Sequence, residues 1–192
     1  MKIYTKKGDR GQTSLANGRR IAKNSLILDQ IGALDELNSD LGLVLAAGSL
    51  GRGDSLRAVV ALSKADQLLL RRAQANLFCF GGLLAKPAPV VAAKLNRNFD
   101  SADVERLEER IDYHSERLEP LRNFILPGGV ELAARLHRAR TTCRRAERQL
   151  IQTTLKPAMK AYLNRLSDYL FVLARVANKQ AHKPDITWSS TP

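Results

Sequence analysis

Cysteine is scarce in this chain: two in 192 residues, Cys79 and Cys143, with no C-x-x-C spacing. That usage supports neither a disulfide framework nor a zinc site, and it points to a reducing cytoplasm. Aromatics are thin at 5%, and no aromatic stacking set or recognition-helix motif of a nucleic-acid binder is present. No apolar run approaches the ~18 residues that cross a bilayer. The opening MKIYTKKGDRG lacks an apolar core and reads as neither a signal nor a transit peptide. Acidic residues are outnumbered, 19 against 31 basic ones, for a formal net charge of +12. Such a balance invites polyanions: nucleic acid, a membrane surface or a polyphosphate ligand. A plain solvated basic surface fits it equally well, so composition alone does not choose.

What is there favours helix. Apolar residues make up 44% of the chain, with Ala and Leu plentiful, enough for one domain with a real core. Residues 1 to 24 are polar and Gly-bearing and read as an ordered loop or short extended arm. Spacing near 3.6 then predicts helices over about 25–47, 56–85, 101–119, 130–153 and 157–180. The second of these follows the turn GSLGRGDS, and the third is capped by Asp100 or Ser101. KPAPVVAAKLNRNF reads as a connector broken by Pro87 and Pro89, and FILPGG (124–129) as a short apolar loop. Residues 183–192 form an irregular tail. The expected fold is all-α: one domain over 1–192, a five-helix antiparallel bundle.

The fourth predicted helix places five arginines within eleven positions: Arg138, Arg140, Arg144, Arg145 and Arg148. On a helical wheel Leu132, Leu136, Ala139, Cys143, Ala146 and Leu150 form one apolar stripe. Arg140, Arg144 and Arg148 form a separate ridge that starts beside this stripe and drifts away from it. Three like charges at i, i+4 repel unless an anion neutralises them. Guanidinium presents a fixed fork of donors that suits phosphate, so an oligophosphate is the implied ligand.

YTKKGDRGQTSL supplies a complement. Gly8 and Gly11 let backbone N–H groups turn towards a phosphate, with hydroxyls from Thr5, Thr13 and Ser14 and charge from Lys6, Lys7 and Lys23. Asp9 can orient the loop or hold a hydrated Mg²⁺. The loop is not a Walker A motif. In the first helix Asn38 falls inside the apolar stripe and needs a partner on a neighbouring helix. Asp35 lies at the stripe's border and is a natural mate for Arg140, as a structural ion pair or as a pair facing a ligand.

TKKGDRGQTSL with Lys23, GALDELNSDLG, FILPGG, ARTTCRRAER and LNRLSDYLFVLAR occur in this order. Together they closely resemble the PduO-type ATP:cob(I)alamin adenosyltransferases, from about residue 2 to about residue 178. The resemblance implies a five-helix bundle that assembles as a homotrimer, with active sites between subunits and ATP held by the N-terminal loop and the arginine helix. It places Thr5, Lys6, Lys7, Gly8, Thr13, Ser14, Lys23, Arg144, Arg145, Ala146, Glu147, Arg148 and Asn164 on nucleotide-binding positions. Asp35 and Arg140 match an acid–arginine pair near the corrinoid, and Phe124 an aromatic that crowds the lower face of cobalt. Departures are Ala22 for a common proline, SLANG for SLFGG, the added Glu131 and Arg138, and a shorter stretch between Arg148 and Asn164.

The implied reaction moves the 5′-deoxyadenosyl group of ATP to the cobalt of cob(I)alamin and releases triphosphate. Arg140, Asp35, Phe124 and Arg144 would carry it, with MgATP and reduced corrinoid as substrates and no protein-held metal. A reductase supplying Co(I), and a B12-dependent enzyme taking the product, are the expected partners, with no membrane and no nucleic acid. No general base is required, and His114, His137 and His182 read as surface or helix-edge residues. The rivals are a basic helical nucleic-acid binder and a non-catalytic corrinoid-binding homologue. A carboxylate-bridged metal bundle on Glu105, Glu109, Asp112 and Glu116 lacks the paired E-x-x-H motifs such sites use.

Overall fold

The N-terminal segment forms a small antiparallel hairpin, β1 (Gln12–Ser14) and β2 (Arg20–Ala22), with Thr13 opposite Ile21. The structure is a computed structural model that describes residues 4, 6–49 and 60–188. The hairpin turns through SLANG: Gly18 takes φ +84°, and the Asn17 side chain accepts from Arg19 N–H at 3.0 Å. The amide of Ala16 donates to Ala85 O at 3.0 Å, which moors the hairpin to the end of the second helix.

Six helices follow among the described residues: α1 (Leu26–Ser49), α2 (Lys64–Leu84), α3 (Pro89–Asn98), α4 (Ala102–Ser115), α5 (Glu131–Leu150) and α6 (Pro157–Gln180). Five of them match the periodicity. The start expected at residue 56 lies partly outside the described residues, and residues 60–63 are not helical, so α2 begins at Lys64 behind its N-cap Ser63. The connector prediction also needs correcting. Pro89 does not break α3 but begins it, because proline's fixed φ and missing N–H suit the first turn. None of the residues of α3 is buried, so it lies on the bundle rather than in it.

The five long helices form a ring. Gln30 bonds to Gln149 O, Glu36 pairs with Arg145, and Asp40 meets Arg138 and Thr142, so α1 and α5 run antiparallel. Asn38 and Gln74 exchange side chain-to-backbone bonds between α1 and α2, the partner that the sequence required for Asn38. Glu147–Asn164 and Val130–Asn178 order α5 against α6. Asp66–Arg110 and Asp103–Asn76 close α4 onto α2. An odd ring cannot alternate throughout. The one like-directed pair is α4 and α6, where Glu108 meets Arg165 and Arg117 O meets Lys179.

Every residue of the α5 stripe is buried, and Cys143 and Ala146 are fully so. Phe80, Phe99 and Tyr162 meet edge to face at 5.2–6.1 Å across α2, the α3–α4 link and α6. Residues 186–188 of the tail are more regular than the sequence suggests. Trp188 N donates to Phe124 O, and Leu126 N donates to Ile186 O, each at 2.7 Å. Ile125 and Thr187 thus form an antiparallel bridge that seats FILPGG against residues 186–188.

Candidate active site

α5 brings one face to the core and one edge to solvent, and that division builds the site. Arg144 and Arg148 are exposed and Arg140 is half-buried. None of the three has a carboxylate within ion-pair distance among the described residues. The neighbouring arginines are engaged: Arg138 Nε donates to Asp40 at 2.9 Å, and Arg145 pairs with Glu36. The ridge therefore stays cationic while the arginines beside it hold the bundle together. From Arg140 to Arg148 it spans about 12 Å of helix.

Arg140 opens onto a cavity of about 910 Å³ walled by Phe124, Leu121, His137, Phe171 and Trp188. Phe124 is 83% exposed, its ring packed against little in this chain although its backbone is held by the tail. Arg140 Nε is buried with no partner among the described residues. Burial and the nearby Arg144 pull the Arg140 pKa below its usual value. The Asp35–Arg140 pair does not form within one chain. Asp35 is exposed on α1, and the carboxylates of α1 that reach α5 are Asp40 and Glu36.

Two turns beyond Arg140 on α5, Glu147 accepts from Asn164 Nδ2 at 2.9 Å, and Asn164 Oδ1 accepts from Arg165 at 2.7 Å. Glu147 and Asn164 are thereby locked together beside Arg144 and Arg148, on adjoining turns of α5. Ala146 sits with them in sequence, and its side chain is fully buried in the core. Burial also pushes the Cys143 thiol well above its usual range, which leaves it inert.

The N-terminal loop closes on itself. Asp9 N donates to Lys6 O at 3.4 Å, Gly11 N to Gly8 O at 3.3 Å, and Lys23 N to Gly11 O at 2.9 Å. Lys6 holds φ +59°, a left-handed conformation that costs a lysine energy and recurs at ligand clamps. The Lys23 ammonium lies over Gly8, where an added Cβ would come within 3.1 Å of Nζ. Lys6, Lys7 and Ser14 are exposed and Thr13 half-buried, all on this loop and hairpin; Thr5 lies outside the described residues. The hairpin stands at the end of the bundle where α1 begins and α5 ends, the same end as Arg148. No hydrogen bond or ion pair joins residues 6–23 to α5 among the described residues.

Two features went unread in the sequence. His137 is not a surface residue: it is 3% exposed at the cavity wall, and His114 is 6% exposed beside Asp66. Thr187 and Trp188, from the supposedly irregular tail, line the same cavity as Phe124. The available signals were the position of His137 one turn before Arg140 and the chain's single tryptophan in a short Thr-Trp run.

The chain matches the cobalamin adenosyltransferase family over residues 3–177. It is 40% identical over 190 residues to the corrinoid adenosyltransferase PduO of Salmonella typhimurium, covering 97% of this chain but 52% of that protein, about half its length. It is 40% identical over 191 residues to the cobalamin adenosyltransferase of Cupriavidus metallidurans, covering 97% of this chain and 94% of that protein. A phenylalanine-to-alanine variant of the PduO-type ATP:corrinoid adenosyltransferase from Lactobacillus reuteri, complexed with cobalamin and ATP, superposes with a TM-score of 0.80 at 34% identity, over 98% of this chain and 100% of that one. An arginine-to-lysine variant of the Lactobacillus reuteri enzyme, complexed with ATP, gives 0.77 at 35% identity, over 97% and 100%. With a match running through the loop, the arginine ridge and the FILPGG wall alike, the chain belongs to the cobalamin adenosyltransferase family.

Proposed function

We propose that this chain transfers the 5′-deoxyadenosyl group of ATP to the cobalt of a reduced corrinoid. The observation that carries the reading is the un-neutralised ridge Arg140–Arg144–Arg148, which opens at Arg140 into a cavity walled by Phe124. Co(I) supplies the electron pair that attacks the 5′ carbon. The bond from that carbon to the triphosphate oxygen breaks, and triphosphate leaves with the pair. The cofactor-like substrate carries the hard chemistry. The protein aligns cobalt with the 5′ carbon and stabilises the charge gathering on the leaving phosphates.

Arg144 and Arg148, held beside the Glu147–Asn164 pair, would grip the triphosphate with Lys23, Lys6, Lys7 and the Gly8 loop, and Mg²⁺ would arrive with ATP. The amides of Lys7 and Gly8 have no acceptor among the described residues, as a phosphate-facing turn requires. Arg145 contributes by tying α5 to Glu36 rather than by contact. Asp35 and Arg140 would meet near the corrin in the assembled enzyme, since they do not meet in one chain. Phe124 would fill the space beneath cobalt, keeping the axial base away so that Co(II) becomes easier to reduce.

The assembly that brings a second chain's loop to this ridge is a homotrimer, working in the cytoplasm with a reductase upstream and a B12-dependent enzyme downstream. No helix among the described residues is long and apolar enough to cross a membrane. Chemically reduced cobalamin with MgATP tests the reaction: the cob(I)alamin spectrum gives way to that of the alkylated product with one triphosphate released per turnover. Spectra that stay unchanged with ATP present would reduce the chain to a corrinoid carrier.

A further inference from the structure

His137 is the one histidine that faces the cavity, and its chemistry is unspent. Its side chain is 3% exposed at the wall, and among the described residues neither Nδ1 nor Nε2 has a hydrogen-bond partner. The ring touches Phe171 edge to face at 6.0 Å, an apolar contact a phenylalanine would make as well. Arg140, one turn on, has its Nε in the same condition. Two adjacent buried polar groups without partners, on one wall of one cavity, call for an explanation. Burial, and then the charge of Arg140, pull the His137 pKa down, so the ring is uncharged near neutral pH.

A neutral imidazole offers one N–H donor and one lone-pair acceptor. A primary amide is its complement, with a carbonyl to accept and an NH₂ to donate. A carboxylate is acceptor-only: it can take the imidazole N–H but has no hydrogen to give the ring's acceptor nitrogen. Arg140 is a cation and by itself favours a carboxylate over an amide, so selection of the amide falls to the acceptor nitrogen of His137. Turning the ring into the cavity breaks no hydrogen bond, because none is made.

Resting on the adenosyl-transfer reading above, we infer that His137 is a specificity residue that pairs with a primary amide on the rim of the corrin ring and selects amidated corrinoids over those bearing free acids. The probes are two Co(II) corrinoids, cobinamide with its amides intact and cobyrinic acid with carboxylates, titrated by absorbance into the MgATP-loaded full chain. In His137→Phe the preference for the amide over the acid falls by ~10-fold, the loss expected for one hydrogen-bonded pairing. His137→Asn, which keeps a donor and an acceptor, retains part of it. The ligand-free melting temperature of His137→Phe stays level or rises, since no hydrogen bond is removed, and KM for ATP is unchanged. A preference ratio unaltered in His137→Phe overturns the inference, as does a His137→Phe chain that no longer folds, which would mark the ring as structural. A wild-type chain that binds neither probe instead sinks the adenosyl-transfer reading itself.

Discussion

Arg144 and Phe124 differ in what they cost the fold, and that difference makes each testable alone. Arg144 is exposed and holds no carboxylate, so truncating it leaves the core and the ion pairs of α5 intact. Arg144→Ala should unfold at the wild-type temperature yet lose activity by ~10³-fold or more, the scale of removing a charge-stabilising donor from a reacting centre. Near-normal turnover would remove it from the triphosphate grip. Phe124 is 83% exposed, so its ring contributes almost nothing to stability here. Phe124→Ala should therefore bind ATP normally and fail at reducing bound Co(II); a loss confined to ATP affinity would refute the space-filling role. Both residues could be picked out from sequence because they sit in motifs. His137 could not, because its importance comes from Phe171 and the tail, neither of which is near it in the chain.

Asp66, on α2, shows how the elements are pinned. Its buried carboxylate accepts from Arg110 and His114 of α4 at 2.8 and 2.9 Å and from Tyr169 of α6 at 2.7 Å. Burial works against its charge, but the bonds from His114, Ser63, Tyr169 and Arg110 outweigh it and hold the pKa well below the usual carboxylate range. A depressed folded-state pKa means stability that is fully present above the unfolded value of ~3.9 and is lost as pH falls below it. Asp66→Asn should cost about 3 kcal/mol at neutral pH by stranding Arg110. Its melting temperature should also fall less steeply between about pH 4 and pH 2 than that of the wild type. Parallel acid limbs for the two proteins would show that other carboxylates govern the transition. Helices of this kind were legible from 3.6-residue spacing. The clamp was not, since Asp66 sits in an ordinary first turn and its partners on α4 and α6 lie over forty residues away. α3 was hidden for a different reason: two prolines in four residues look like breakers until the second is seen to start a turn.

At the scale of the whole molecule, the loop and the ridge do not join among the described residues. Residues 6–23 dock on α2 through Ala16 and Ala85, and Asp35 and Arg140 stay apart. Sequence motifs named both halves but carried no information on which chain supplies each, because that depends on surfaces between copies. If each site takes its loop from one chain and its ridge from the next, two inactive variants must complement one another. Lys23→Ala spoils the loop and Arg144→Ala the ridge, and neither touches a core residue. Mixed in equal amounts, unfolded together and refolded, they should regain about a quarter of wild-type activity. In a closed cyclic ring of randomly drawn chains, half the loops and half the ridges are intact, and a site needs one of each. Were both halves drawn from the same chain, every site would carry one lesion and the mixture would show only the average of its parents' activities. A recovery near one quarter therefore selects the shared site. Refolded mixtures with only additive parental activity would place loop and ridge in one chain, and the assembly proposed above would have to be abandoned.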